Sequence, residues 1–260
     1  MQYGFSIKRK CYLLSVLLMT VWLTGCVQEE FESTPSPAGN GIRFTLTVPD
    51  VNLPSVSSRT MTGTGTAKKE DEIETVDILV FDMSKTPAVF LEWASATEVT
   101  QDLADNSTVS FSAVLSPTTA STCIVVVANK ELDGIVSGFT KGVTTKVRAM
   151  EEMLHTQTGK WLADGSTTGG YTRIPMYGEK VISKITPSMN PITDINMKRM
   201  LARIDIRNNS VTSNFTVEEV YLANYNTTGY IAPAWNTNGQ VTEPAPDTPV
   251  LPTGSGNMTE

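Results

Sequence analysis

Gly41-Ile42-Arg43-Phe44-Thr45-Leu46-Thr47-Val48 carries the pattern that marks this chain as a β protein. Ile42, Phe44, Leu46 and Val48 alternate with Arg43, Thr45 and Thr47. A side-chain period of two marks a strand with one buried face. Pro49 and Pro54 end it. Ser57 to Lys69 then runs rich in Thr, Gly and Ser, with Arg59-Thr60 among small residues in an expected exposed loop. An arginine set in such a loop is a ready protease site.

Working downstream, more strands follow. Glu74 to Phe81 places Val76, Ile78 and Val80 on one face and Leu79 and Phe81 on the other, so it reads as covered on both sides. Val89 to Trp93 is expected to pair with it after a turn at Lys85-Thr86-Pro87. Thr108 to Leu115 alternates Val109, Phe111, Ala113 and Leu115 with polar residues, and Cys123 to Ala128 is apolar enough to be central. Thr144 to His155 carries Val147, Met150 and Leu154 at helical spacing, with Lys146, Arg148, Glu151 and Glu152 assigned to the outer side. Ile174 to Gly178 leads toward a strand around Val181 to Ile185, and Pro187 and Pro191 bracket an expected domain boundary. Ile195 to Ile206 fits a helix face (Met197, Met200, Leu201, Ile204) or a strand (Met200, Ala202, Ile204, Ile206), with the strand preferred. Val217 to Tyr225 is a further strand candidate, and from Asn236 the chain is rich in Pro, Thr, Gly and Asn.

Working upstream, Lys8, Arg9 and Lys10 precede an apolar run from Tyr12 to Leu23, and Leu23-Thr24-Gly25-Cys26 follows the pattern of a bacterial lipobox. The run is shorter than the ~20 residues a membrane-spanning helix needs. Residues 1–25 therefore read as a lipoprotein signal peptide, with Cys26 as the lipidated first residue of the mature chain. Residues 26–40, with Glu29, Glu30, Glu32, Pro35 and Pro37, read as an acidic flexible spacer. Acidic residues just after such a cysteine also resemble the surface-export signal of some Gram-negative lipoproteins.

Composition narrows the function. Without the signal, 17 Lys and Arg face 27 Asp and Glu, a net charge of −10. That balance argues against nucleic acid, where affinity comes from clustered cations on phosphates. The single histidine, His155, reads as a helix-end residue, and Cys123 as a buried structural thiol, which leaves a Ser-His-Asp or Cys-His arrangement little to draw on. No Cys/His spacing suits zinc, no glycine motif cradles a phosphate, and no cofactor is implied. The reading is of a chain that is not an enzyme. Trp161 and Trp235 lie in polar loops, where they either pack locally or stack on a sugar. Packing is preferred, and a monomeric outer-membrane lipoprotein binding glycans is the alternative reading.

The order of these features resembles the fimbrillin family, the pilus subunits of Gram-negative anaerobes. The resemblance rests on the lipobox, spacer, alternating strand and Arg59 loop, followed by Val76-Asp77-Ile78-Leu79-Val80-Phe81, Val125-Val126-Val127-Ala128-Asn129, Ile174-Pro175-Met176-Tyr177-Gly178 and Lys198-Arg199-Met200-Leu201-Ala202-Arg203-Ile204. It implies a mainly β protein of transthyretin-like β-sandwich domains. The N-terminal sandwich, with one helix, is assigned to 41–190. A second β domain is assigned to 191–260, and it is expected to be incomplete. The resemblance further implies outer-membrane delivery through Cys26 and cleavage by an Arg-specific protease between Arg59 and Thr60, with Arg43 as the rival site. It then implies loss of the strand bearing Ile42, Phe44, Leu46 and Val48, and its replacement by a strand from another fimbrial subunit, the fibre serving adhesion.

Overall fold

The computed structural model describes residues 42–48, 72–101, 108–157, 173–201, 218–219, 226–242 and 251–252. The chain enters through β1 (Ile42–Thr47), then β2 (Val76–Asp82), β3 (Val89–Ser95), β4 (Thr97–Gln101), β5 (Thr108–Ala113) and β6 (Thr122–Ala128). Two short helices follow, α1 (Asp133–Val136) and α2 (Lys146–Glu152). The remaining strands are β7 (Leu154–Thr156), β8 (Met176–Ile182), β9 (Ile192–Asn196), β10 (Lys198–Arg199) and β11 (Thr228–Tyr230). No helix among the described residues is long and apolar enough to cross a membrane.

The strands form a four-stranded sheet in the order β4-β5-β1-β9, a five-stranded sheet β10-β8-β6-β2-β3, and a small β11-β7 pair. The mainly β sandwich expected from the alternating patterns is what forms. Ile42, Phe44, Leu46, Val109 and Phe111 of the first sheet share one core with Ile78, Val80, Ile124 and Val126 of the second. The second sheet buries its other face too. Leu79, Phe81, Cys123, Val125 and Val127 pack there with Ala149, Met150 and Met153 and with Ile231 and Ala232. This is why β2 and β6 read as unbroken apolar runs: each face meets a different core, and β6 is central as expected.

Several elements depart from the sequence reading. The helix is shorter than 144–155, and Leu154 and His155 belong to β7, which pairs antiparallel with β11. Lys146, assigned to the outer side, is buried. A second helical turn, α1, accompanies the expected one. β8 begins at Met176, within the stretch expected to precede a strand, because Met176 and Tyr177 pair with Ala128 and Val127. β4 was not expected. Its side chains are half or fully exposed, so it lacks an apolar face to reveal it. Past the Pro187–Pro191 stretch, β9 joins β1 in the first sheet, and Ile192, Ile195 and Met197 enter the shared core. Ala202 to Ile206 and most of Val217 to Tyr225 lie outside the described residues.

Candidate functional site

The site is the place that β1 occupies. Its inward side chains, Ile42, Phe44 and Leu46, are all buried, as is Val48 directly after the strand, while Arg43 and Thr45 are half-buried on the opposite face and Thr47 is exposed. β1 runs antiparallel to β5, with Ile42 opposite Ala113, Phe44 opposite Phe111 and Leu46 opposite Val109. The Phe44 and Phe111 rings stack nearly parallel, 4° apart in plane with centroids at 4.9 Å. On its other edge β1 runs parallel to β9, with a register shift between Phe44 and Leu46. The Met197 amide extends that edge by donating to the Thr47 carbonyl at 2.9 Å. β1 therefore stands between β5 and β9, and neither of those strands pairs with the other.

The chain is gripped again directly after the interval that holds Arg59. Ile73 is buried, and its amide donates to Gln101 Oε1 at 3.1 Å. Asn129, at the end of β6 with φ 58°, ties three segments. Its Nδ2 donates to the carbonyls of Glu72 (2.8 Å) and Ile174 (3.0 Å), and its Oδ1 accepts from the Glu74 amide at 3.0 Å. Arg173 pairs with Glu72 at 3.0 Å and Glu74 at 2.7 Å. Cys26, Arg59 and Thr60 lie outside the described residues. Arg43 lies inside β1, opposite Ser112.

The remaining reactive groups are structural in their surroundings. Cys123 is fully buried, and desolvation pushes its thiol up to about 12, with the Lys146 ammonium pulling the other way. His155 faces Gly229 across the β7–β11 pair, and burial holds its imidazole below the ordinary range. Lys146, on α2, donates to Glu179 Oε2 and to the Gly239 carbonyl, both at 2.6 Å. Tyr177 donates to the same Glu179 oxygen at 2.5 Å, and burial together with that carboxylate holds its phenol far above the usual range. Among the described residues no group of three His, Cys, Asp or Glu side chains gathers as a metal site would. Trp235 packs edge-on against Tyr230, 4.9 Å between ring centroids, and lies against the second core. Trp161 lies outside the described residues.

Sequence reasoning named the buried residues Ile42, Phe44, Leu46 and Val48 and missed what surrounds them. The Asn129 tie left a trace in the Ala128-Asn129 pair that the resemblance used. Gly178 left only its own lack of a side chain. A Cβ there would sit 2.6 Å from Met197 Sδ and 2.9 Å from Ile195 Cγ2. The glycine lets β8 approach the segment that carries β9.

No curated protein matches the chain at a significant level. The family model described as major fimbrial subunit protein (FimA) matches residues 42–244, from the first residue of β1 to beyond β11. That span covers most of the chain, including β1, the strands on either side of it and both cores, and the chain belongs to the FimA family of major fimbrial subunits, structural components of the cell-surface fimbrium.

Proposed function

We propose that this fimbrial subunit is delivered to the outer membrane as a lipoprotein through Cys26, cut between Arg59 and Thr60, and polymerised by exchange of β1 for a strand of another subunit. The observation that carries the reading is the place of β1 inside the first sheet, between β5 and β9. Burying four apolar side chains is worth roughly 1.5–3 kcal/mol each, or about 6–12 kcal/mol together. A domain with a total stability of about 5–15 kcal/mol does not tolerate that surface standing open. An incoming strand restores both the ladder bonds and the burial by β-augmentation. Because the strand comes from one subunit and the groove from the next, the contact is heterologous and propagates.

The position of the cut fits this scheme. Glu72 to Glu74 is fastened by Asn129 and Arg173, so a cut at Arg59 separates β1 from a chain that is held again downstream. Arg43 is paired within the strand and is shielded until β1 has left. Trypsin treatment of the purified precursor tests the reading. The expected result is a selective cut after Arg59 followed by oligomer ladders that survive mild SDS. Unchanged cutting and laddering in Arg59→Ala overturns the assignment of that bond.

A further inference from the structure

We infer that the groove left by β1 selects its occupant by an aromatic subsite, and that it accepts a neighbouring subunit's strand with a flat ring at its second inward position. This inference rests on the strand-exchange reading above and adds to it the chemistry of the partner. Three features of the site define that chemistry. Along β5 the groove wall changes character from Ala113 to Phe111 to Val109, facing Ile42, Phe44 and Leu46 in turn. Directly opposed residues on one face of an antiparallel pair are in side-chain contact, so each inward residue of the occupant meets a wall of different shape. Only the middle wall is a ring, and Phe44 lies flat on it, 4° from parallel. Offset stacking of this kind contributes beyond the area that an aliphatic side chain of similar size buries.

Direction and register are fixed by the other edge. An occupant antiparallel to β5 is parallel to β9, as β1 is. β9 places two residues, Thr193 and Asp194, between Ile192 and Ile195, where β1 places Thr45 alone between Phe44 and Leu46. Asp194 adopts φ 59° at this irregularity. The Lys180 ammonium donates to the Thr193 carbonyl at 2.5 Å and holds the segment to β8. A strand slipped by two residues keeps its apolar face inward but meets this irregularity out of phase, and its ring meets Ala113 or Val109. A slip by one residue turns the apolar face outward. The partner is thus an extended segment with apolar residues at alternate positions, the second of them aromatic.

The test uses the full chain nicked by trypsin, with the protease then quenched and β1 still seated. Two fluorescent peptides are offered, and entry is followed by anisotropy. One carries residues 41–48. The other has the same composition with its two central inward residues exchanged, Phe44→Leu with Leu46→Phe. The inference expects the native order to bind at least tenfold more tightly. It also expects Phe111→Leu in the nicked chain to bring the two peptides within threefold of each other. Because the peptide comparison needs no variant protein, a Phe111→Leu chain that fails to fold leaves the test intact. Equal entry of both peptides overturns the aromatic subsite and leaves strand exchange standing. Entry of neither peptide overturns strand exchange, and the subsite falls with it.

Discussion

Lys146, only 2 % exposed, donates to Glu179 across 2.6 Å, and the same ammonium donates to the Gly239 carbonyl. One buried cation thus joins α2, β8 and the turn that follows Trp235. Gly239 adopts φ 75°, and a Cβ there would stand 3.2 Å from the Val147 amide, so the turn is fitted closely to the helix. Lys146→Met leaves Glu179 with Tyr177 and water, since Glu179 is 24 % exposed. The expected loss is about 3 kcal/mol in urea unfolding, the low end for removing one partner of a buried pair. Adding Glu179→Gln is expected to recover part of it. A loss below about 1 kcal/mol would place the pair with ordinary surface ion pairs and refute its role as a tie.

Asn129 combines a left-handed backbone with three side-chain hydrogen bonds. Asn129→Gly keeps the backbone and loses the bonds, at an expected cost of roughly 2–3 kcal/mol. Asn129→Ala loses both and is expected to fall about 1–2 kcal/mol further. Thermal unfolding of the two variants checks the order. Equal stabilities would mean that the positive φ carries no strain.

At Gly178 the added methyl of alanine meets the Met197 sulfur, which can swing away, and also Ile195 Cγ2 at 2.9 Å and the Asn196 carbonyl at 3.1 Å, which cannot. Gly178→Ala is expected to cost about 1–3 kcal/mol through overpacking. The disturbance is expected to reach β1, because the Met197 amide is bonded to Thr47. Hydrogen exchange of the Met197 amide is the readout. An amide as protected as in the unchanged chain would show that β9 seats independently of β8.

Cys123 is pushed up to about 12 by desolvation, so the native thiol is expected to resist alkylation at pH 8 and to react on unfolding. The linkage has a definite sign. The folded thiol ionises less readily than the unfolded one, near 8.5, so its contribution is fully present below that pH and is lost as pH rises toward 12. Cys123→Ala should therefore flatten part of the alkaline fall in stability, on top of its own cavity cost. An unchanged alkaline slope would exclude the thiol and leave Tyr177 as the buried acid responsible.

Elements whose pattern is local are legible in the residues alone. The inward set of β1, the two-sided burial of β2 and the apolar run of β6 all follow from side-chain period and apolar content, and the structure reproduces them. β4 escaped because it is a polar edge strand, held to β5 by Thr97 and Thr100 hydroxyls on the carbonyls of Ser112 and Ser110. Such bonds carry no apolar signature.

Neighbour relations, by contrast, arise only in the closed fold. A lysine on a short helix reads as solvated. Lys146 is buried because its acceptors arrive from residues 33 and 93 positions away in the chain. The place of β1 is the same kind of fact. The residues Ile42, Phe44, Leu46 and Val48 announce a strand with one apolar face, but period two says nothing about neighbours. Only the assembled sheet puts that strand between β5 and β9, with Phe44 laid on Phe111. Side-chain alternation is set by the backbone of one strand, whereas strand order is set by burial summed over both cores, and that sum exists only once the chain has closed on itself.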